Sequence, residues 1–287
     1  GAHLSSLPNT PVAGPLADDR DSLRELLSAA ASRVGQTRAR WLQLKVIGPA
    51  LDGLAWGLSS LPWGATYVLD LPGSLDRLRF GSSRNHSKVR WAVRKARRLG
   101  VTVREGPSAA DLRRWYELHL ATMRAHAVPP RPLRFFEVMR EILAPRGLFR
   151  LLLAERQAGG RTQLLAGSVF LSHGRTVICA FNGRDRDLLT FHPNDAIQWT
   201  AITEACGAGF RRYDFGEVPA GNKGLAVFKE KWGARPVGLY RYHYPQHREI
   251  ELGMLGAAAF RRAMAWTLRR LPLPVTAEIG WWIYRRL

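Results

Sequence analysis

The chain has 287 residues, which is long enough for one large domain or two of ordinary size. Its apolar fraction of 46% and charged fraction of 23% are typical of a globular protein and exclude an intrinsically disordered one. The net charge of +20 predicts a polyanionic partner: RNA, DNA, a phosphate-bearing substrate or an acidic lipid surface.

Hydrophobic periodicity and turn residues predict a mixed order of elements along the chain. Helices are predicted from about Asp21 onward and at 84–99, 108–126, 132–143, 193–208 and 225–232. Strands are predicted at 41–46, 66–71, 101–103, 148–154, 164–171, 176–181, 213–215 and 236–244. The three strands between 148 and 181 follow one another with only short turns between them, so they predict an antiparallel meander.

Common catalytic and metal-binding motifs are missing from the sequence. It has no glycine-rich phosphate loop after a strand, no GxSxG and no HExxH. Cys179 and Cys206 lack metal-ligand spacing, which predicts reduced, buried thiols in a cytoplasmic protein and no bound metal. No apolar run reaches the ~18 residues that a membrane-spanning helix needs. These absences argue against a metalloenzyme, a serine hydrolase and an integral membrane protein.

The segment from Arg84 to Gly100 reads RNHSKVRWAVRKARRLG and contains no Asp or Glu. Its apolar positions, at helical spacing, predict a packing stripe of Val89, Ala92, Ala96 and Leu99. The other faces carry cations that we expect to bind phosphate groups. These are Arg84, Lys88, Arg90, Arg94, Lys95, Arg97 and Arg98. A solvated face that acids elsewhere in the fold neutralise remains the alternative.

Three motifs resemble those of FemAB-like aminoacyltransferases. They are the basic helix just described, Gly209 to Gly216 (GFRRYDFG) and Gly224 to Gly233 (GLAVFKEKWG), and they occur in the family's order. The resemblance spans about residues 60 to 245 and extends to BioF2-like acetyltransferases. It implies the GNAT fold, an α/β fold with a mixed, largely antiparallel sheet flanked by helices. FemAB-like proteins carry two GNAT-like halves.

The resemblance suggests a division of the chain into three segments. Residues 1–80 correspond to an abbreviated N-terminal GNAT-like half, in which 66–71 resembles the final strand. Residues 81–245 form the acyltransferase domain, and 246–287 form a basic amphipathic tail.

The resemblance also implies roles for individual residues. Lys229 is placed at the donor end of the active site, where its ammonium would stabilise the oxyanion of the tetrahedral intermediate. From their positions in the sequence, Asp214 and Glu217, just past a strand end, and His192, before Pro193, are the candidate bases or orienting groups for the acceptor amine. The predicted substrate-binding residues are Phe228, Asn182, Asn194 and Glu217.

The identity of the acyl donor is the main open question in the sequence. The Q/R-x-x-G-x-G/A loop of acetyl-CoA enzymes is absent between Asn182 and Asn194. That absence and the positive charge favour aminoacyl transfer from charged tRNA to an amine of a peptide or cell-wall precursor in a bacterium. The donor is then a co-substrate, and no cofactor is expected. An acetyl-CoA-dependent N-acetyltransferase and a non-catalytic nucleic-acid-binding protein remain alternatives.

The tail from Phe260 to Leu287 combines aromatic and basic residues. Its composition suits an anionic headgroup surface, which predicts peripheral contact with the inner face of the cell membrane. Such contact would suit a lipid-linked acceptor, which the resemblance to FemAB-like enzymes allows. The alternative is that the apolar stripe of Phe260, Met264, Thr267, Leu268 and Leu271 packs on the domain or on a second subunit.

Overall fold

The computed structural model describes residues 3–7, 10–54, 57–219, 221–245 and 265–285. The chain divides into two compact units. The first unit comprises Gly1–Tyr67, Glu217–Ala226 and Pro236–Ala259; the second comprises Val68–Gly216, Val227–Arg235 and Phe260–Leu287. The units are therefore assembled from separate stretches of chain, whereas the three consecutive segments 1–80, 81–245 and 246–287 stay a prediction.

Apart from the first strand and the last helix, which were not predicted, the helices and strands of the described residues follow the predicted order. The helices are α1 Arg20–Gln36, α2 Ser83–Arg98, α3 Ala109–His126, α4 Leu133–Leu143, α5 Pro193–Gly207, α6 Lys223–Lys231 and α7 Leu273–Arg285. The strands are β1 Leu4–Ser5, β2 Leu42–Ile47, β3 Ser59–Asp70, β4 Thr102–Glu105, β5 Phe149–Ala158, β6 Arg161–His173, β7 Thr176–Arg184, β8 Arg212–Pro219 and β9 Arg235–Tyr244. The predicted class is confirmed, since mostly antiparallel strands are flanked by helices.

The first unit is built around the strand order β1-β2-β9-β3. β2 and β9 are antiparallel, with Leu42 opposite Tyr244. Helix α1 begins after Asp19, whose carboxylate accepts the N–H groups of Asp21 and Ser22. Its buried Leu27 packs into the same apolar cluster as Leu42. This unit thus has a small core of its own.

The second unit has the strand order β8-β7-β6-β5-β4. β5, β6 and β7 form the predicted antiparallel meander. β7 and β8 are parallel, because α5 carries the chain back between them. Trp115 of α3 and Phe136 of α4 are fully buried against the meander. Helix α5 packs on β5 and β6 of this unit, and His192 is the N-cap residue that precedes its first turn.

The C-terminal helix α7 packs on the second unit. Leu273 and Ala277 contact the core cluster, and a Cβ added at Gly280 would lie 2.1 Å from the carbonyl oxygen of Pro130. Leu268, from the predicted apolar stripe, is buried. Phe260 and Met264 of the same stripe lie outside the described residues. Of the other described members of the stripe, Leu271 is partly shielded and Thr267 is exposed, so among the described residues the tail packs on the unit mainly through α7.

Two details differ from the sequence expectations. Leu99 is not on the buried stripe of α2: it is 39% exposed, because the helix ends at Arg98 and Leu99 caps its C-terminus. Val93 is buried in that stripe instead. Cys206 is buried, whereas Cys179 is only partly shielded, and both are free thiols. No helix in the described ranges has the length and hydropathy to cross a membrane.

Candidate active site

The predicted oxyanion-stabilising residue, Lys229, is buried in the second unit. Its side chain is only 4% exposed, and its ammonium Nζ donates a hydrogen bond to the carbonyl oxygen of Gly216 at 2.7 Å. The backbone N–H of Gly216 in turn donates to Oδ1 of Asp214 at 2.7 Å. Gly216 has a φ of +79°, a left-handed value that favours glycine. The GFRRYDFG and GLAVFKEKWG motifs therefore meet at one glycine.

This geometry favours different roles for Lys229 and Asp214. A buried ammonium acts through a low dielectric, so its field on a developing oxyanion is strong. One oxygen of Asp214 already accepts a backbone N–H, which holds the turn that positions the Lys229 partner. The geometry thus favours Asp214 as a positioning group, and its role as a base stays a prediction.

A second cluster of ionisable groups lies at the start of α5. His192 has a left-handed φ of 56° and precedes Pro193, the first residue of the helix. Its Nδ1 lies 3.5 Å from Oδ2 of the buried Asp195. The other oxygen of Asp195 accepts a hydrogen bond from Nζ of Lys231. Nζ of Lys231 also lies 4.9 Å from the ring centroid of Phe228.

The cluster has the arrangement that orients a histidine for proton transfer. A carboxylate beside Nδ1 favours the tautomer with a proton on that nitrogen, which leaves Nε2 to accept one. Asp195 and Lys231 were missed by sequence reasoning. The spacing of Asp195, three residues after His192 in a predicted helical turn, was a usable signal for the first. The partnership with Lys231 depends on how α5 and α6 pack.

Two of the predicted substrate-binding residues have side-chain oxygens that accept no hydrogen bond in the described part of the chain. The amide nitrogen of Asn182 donates to Oγ of Ser168 at 3.1 Å. The side-chain oxygens of Asn182 and Asn194 are buried and accept no hydrogen bond from the described residues. Buried acceptors of this kind are costly unless a ligand or water donates to them. They are consistent with the predicted contact to substrate.

The fourth predicted substrate-binding residue, Glu217, belongs to the first unit. Burial lowers the pKa of Arg241, and the negative charge of Glu217 partly opposes that effect. The guanidinium of Arg241 lies 4.1 Å from the ring centroid of Trp63. The same unit contains a cavity of about 290 Å³, lined in part by Tyr67, Val218 and Asn222. Whether Glu217 contacts a substrate stays a prediction.

The basic face of α2 has no acidic partner in the described part of the chain. None of its seven predicted phosphate-binding cations forms an ion pair there with an Asp or Glu. Val89, Ala92, Val93 and Ala96 form the buried side, which packs on α5. The ring of Trp91 makes an edge contact with that of His192, with centroids 5.4 Å apart. The basic face thus borders the His192 cluster.

A buried polar network lies beneath these groups. The hydroxyl of Tyr213 donates to the side-chain oxygen of Gln198, whose amide nitrogen lies 3.5 Å from Sγ of Cys179. Burial raises the pKa of the Cys179 thiol, so it stays protonated near neutral pH. The network ties α5 to β7 and β8.

Residues 83–230 match the family model described as an acetyltransferase (GNAT) domain, which is just over half of the chain. The chain belongs to this GNAT family. It is also similar to a UDP-N-acetylmuramoylpentapeptide-lysine N(6)-alanyltransferase of Weissella viridescens, with 27% identity over 145 residues. That match covers 50% of this chain but only 41% of the relative. The predicted resemblance to FemAB-like members of the GNAT superfamily is confirmed.

Solved structures share the fold. The crystal structure of FemX has a TM-score of 0.63 at 19% identity, covering 84% of this chain and 83% of that one. The C-terminal domain of a lysylphosphatidylglycerol synthetase from Agrobacterium fabrum has a TM-score of 0.60 at 13% identity, covering 84% and 78%. L-PGS from Bacillus licheniformis has a TM-score of 0.59 at 14% identity, covering 85% and 79%. At these identities the likeness concerns the fold.

Proposed function

We propose that the protein is an acyltransferase that moves an aminoacyl group from charged tRNA to an amine of a peptide or cell-wall precursor. The observation that carries the proposal is the basic face of α2, which borders the His192 cluster and has no acidic partner in the described residues. A GNAT domain beside such a face suits a donor that is itself a polyanion. The similarity to an enzyme named as an alanyltransferase of a cell-wall precursor supports the same acceptor class.

The proposed reaction is the aminolysis of an ester. The acceptor nitrogen attacks the ester carbonyl carbon, a C–N bond forms, and the carbonyl oxygen becomes an oxyanion. The carbonyl re-forms as the C–O bond to the tRNA breaks, and the released ribose oxygen takes up a proton to become a hydroxyl. Lys229 stabilises the oxyanion. An alkyl amine with a pKa near ~10.4 is mostly protonated at neutral pH, so Nε2 of His192 accepts its proton while Asp195 holds the ring.

The acetyl-CoA alternative is less well supported by the start of α5. Pro193 is the first residue of this helix and has no N–H to offer a pyrophosphate. The preceding loop alternates Arg184 and Arg186 with Asp185 and Asp187, so its cations are partly offset. In either case the acyl donor is a co-substrate, and the proposed chemistry needs no further cofactor.

A donor competition assay tests the proposal. The purified chain is incubated with a lysine-bearing cell-wall pentapeptide precursor and either a mixture of charged tRNAs or acetyl-CoA, and the product is identified by mass. We expect an aminoacylated precursor from charged tRNA. An acetylated product alone would establish the acetyltransferase instead. RNA binding without any product from either donor would favour the non-catalytic nucleic-acid-binding protein.

We propose in addition that the protein works in the bacterial cytoplasm at the inner face of the membrane, through α7. Its outer face exposes Trp281, Trp282 and Ile283, and the guanidinium of Arg285 lies 4.9 Å from the ring centroid of Trp281. Aromatic and basic groups together suit an anionic lipid interface.

Point substitutions test the membrane proposal better than truncation, because the inner face of α7 packs on the core. We expect co-sedimentation with vesicles of anionic phospholipid at low salt, and its loss in a Trp281→Ser, Trp282→Ser double variant. Absence of co-sedimentation by the unsubstituted chain would reject peripheral binding. Equal co-sedimentation of the variant would reject the role of α7.

A further inference from the structure

Trp91 is an exposed aromatic side chain in the middle of the basic face of α2. It is 49% exposed, and Nζ of Lys95 lies 5.0 Å from its ring centroid. Lys88 and Arg94 lie three residues before and after it, on adjoining turns of the helix. A large apolar ring among cations leaves apolar surface in water and does not contribute to the core.

The ring is mounted on a rigid element. The buried side of α2 packs on α5, and the edge contact with His192 fixes the direction of the indole. In the first turn of α2, the ring of His86 stacks on Phe80, with centroids 5.6 Å apart. Phe80 is itself fully buried, with its centroid 5.0 Å from that of Trp232. Trp91 is therefore held in place before any ligand arrives.

Contacts lead from this ring toward the acyl-transfer groups. Trp91 contacts His192, His192 lies beside Asp195, and Asp195 binds Lys231. Lys231 is on α6, two residues from Lys229. A nucleotide resting on Trp91 would thus be at the border between the phosphate-binding face and the proposed site of aminolysis.

We propose that Trp91 is a stacking platform for an unpaired base near the 3′ end of the donor RNA. The inference rests on the proposed function and specifies how that site takes its donor. Cationic grooves that bind single strands use aromatic rings in this way, because every base offers a flat face for stacking. Paired bases inside a duplex do not offer that face to a protein side chain. The platform therefore favours unpaired nucleotides over a duplex, and the 3′ end that carries the aminoacyl ester is unpaired.

Two uncharged RNA hairpins with the same stem test the platform, one with a single-stranded 3′ tail and one with a blunt end. Binding to the full chain is measured by fluorescence anisotropy at fixed salt. We expect Trp91→Ala to weaken binding to the tailed hairpin by about 5- to 150-fold, the range for loss of one base–aromatic stack. Binding to the blunt hairpin should be unchanged. Trp91→Phe should retain most of the affinity for the tailed hairpin, since it keeps a ring.

Trp266→Ala is the matched control, because Trp266, like Trp91, is an exposed tryptophan beside a cation. It is 60% exposed, and the guanidinium of Arg270 lies 3.9 Å from its ring centroid. We expect it to change neither affinity. An unchanged affinity of Trp91→Ala for the tailed hairpin, or an equal loss on both hairpins, would overturn the platform.

The failure of the platform and that of the proposed function are distinguishable. Tail-dependent binding through Trp91 without any aminoacyl transfer would support the platform and refute the enzyme. Aminoacyl transfer, together with an affinity for the tailed hairpin that Trp91→Ala leaves unchanged, would refute the platform but not the enzyme.

Discussion

Replacement of Lys229 by methionine isolates the chemical role of its ammonium. Methionine has nearly the same length and fills the buried space that Lys229 occupies at 4% exposure. The substitution removes the positive charge and the hydrogen bond to Gly216, which is 2.7 Å long. We expect turnover in aminoacyl transfer to fall by roughly 10²- to 10³-fold, the cost of losing one oxyanion-stabilising donor. The KM for charged tRNA should change little, since the basic face of α2 is untouched.

The same substitution should have a small effect on stability, for two opposing reasons. Loss of a hydrogen bond from a charged group costs about 1.5–3 kcal/mol. Removal of a buried charge relieves a desolvation penalty of several kcal/mol. We therefore expect the free energy of unfolding to change by no more than about 2 kcal/mol, which leaves a folded protein to assay.

Lys223→Met is the matched control, since Lys223 is exposed at the first position of the same helix. Steady-state rates of both variants are measured with charged tRNA and the acceptor, alongside their thermal unfolding. Near-normal turnover of a folded Lys229→Met protein would refute the oxyanion role. An equal rate loss in Lys223→Met would show that charge on α6, and not the buried ammonium, matters.

Three further outcomes follow from the structure. Replacement of Arg94, Lys95, Arg97 and Arg98 by glutamine should make RNA binding less sensitive to salt. The slope of log K against log salt should flatten by up to about 0.7–0.9 for each phosphate that the face no longer binds. An unchanged slope would mean that this face binds no phosphate. Burial lowers the pKa of His119 from 6.5 to about 4, so the unfolded chain takes up the proton first as pH falls. The free energy of unfolding, measured in urea, should therefore fall by roughly 3 kcal/mol between pH 6.5 and pH 4. That fall should be absent in His119→Gln; if it persists, another group causes it. Gly280→Ala should lower the melting temperature, because its Cβ would lie 2.1 Å from the carbonyl oxygen of Pro130. Gly35→Ala in α1 has open space around it and should raise the free energy of unfolding by about 0.5–1 kcal/mol. Equal effects of the two substitutions would contradict the packing of α7.

Local patterns in the sequence predicted most elements, because periodicity reports which side of an element is buried. The meander and the helices around it were found in this way. The strand β3 was predicted only from residue 66, although it begins at Ser59. Pro62 and Gly64 in its first half are usually signs of a turn. In the structure, a Cβ at Gly64 would lie 3.3 Å from the carbonyl oxygen of Val218, so this glycine permits β3 and β8 to approach closely.

The residues of the candidate site were predicted unevenly, and the reason is sequence separation. Lys229 and Asp214 lie in motifs whose family resemblance is visible in the sequence. Their connection through Gly216 depends on how α6 packs beside β8. Likewise, Asp195 and Lys231 are 36 positions apart and meet only because α5 and α6 are neighbours. A local pattern indicates which residue types are present, but not which distant partner each one meets.

The composition of α2 has an energetic cost that its packing alone does not explain. Like charges one turn apart each cost a few tenths of a kcal/mol, and an exposed indole leaves apolar area in water. Burial of Val89, Ala92, Val93 and Ala96 holds the helix on α5, but uncharged residues on the outer face would hold it equally well. The repulsion is relieved when phosphates bind, and the indole is covered when a base stacks on it. Both costs therefore fall together when single-stranded RNA binds, which is the ligand that an aminoacyl-tRNA would present beside His192.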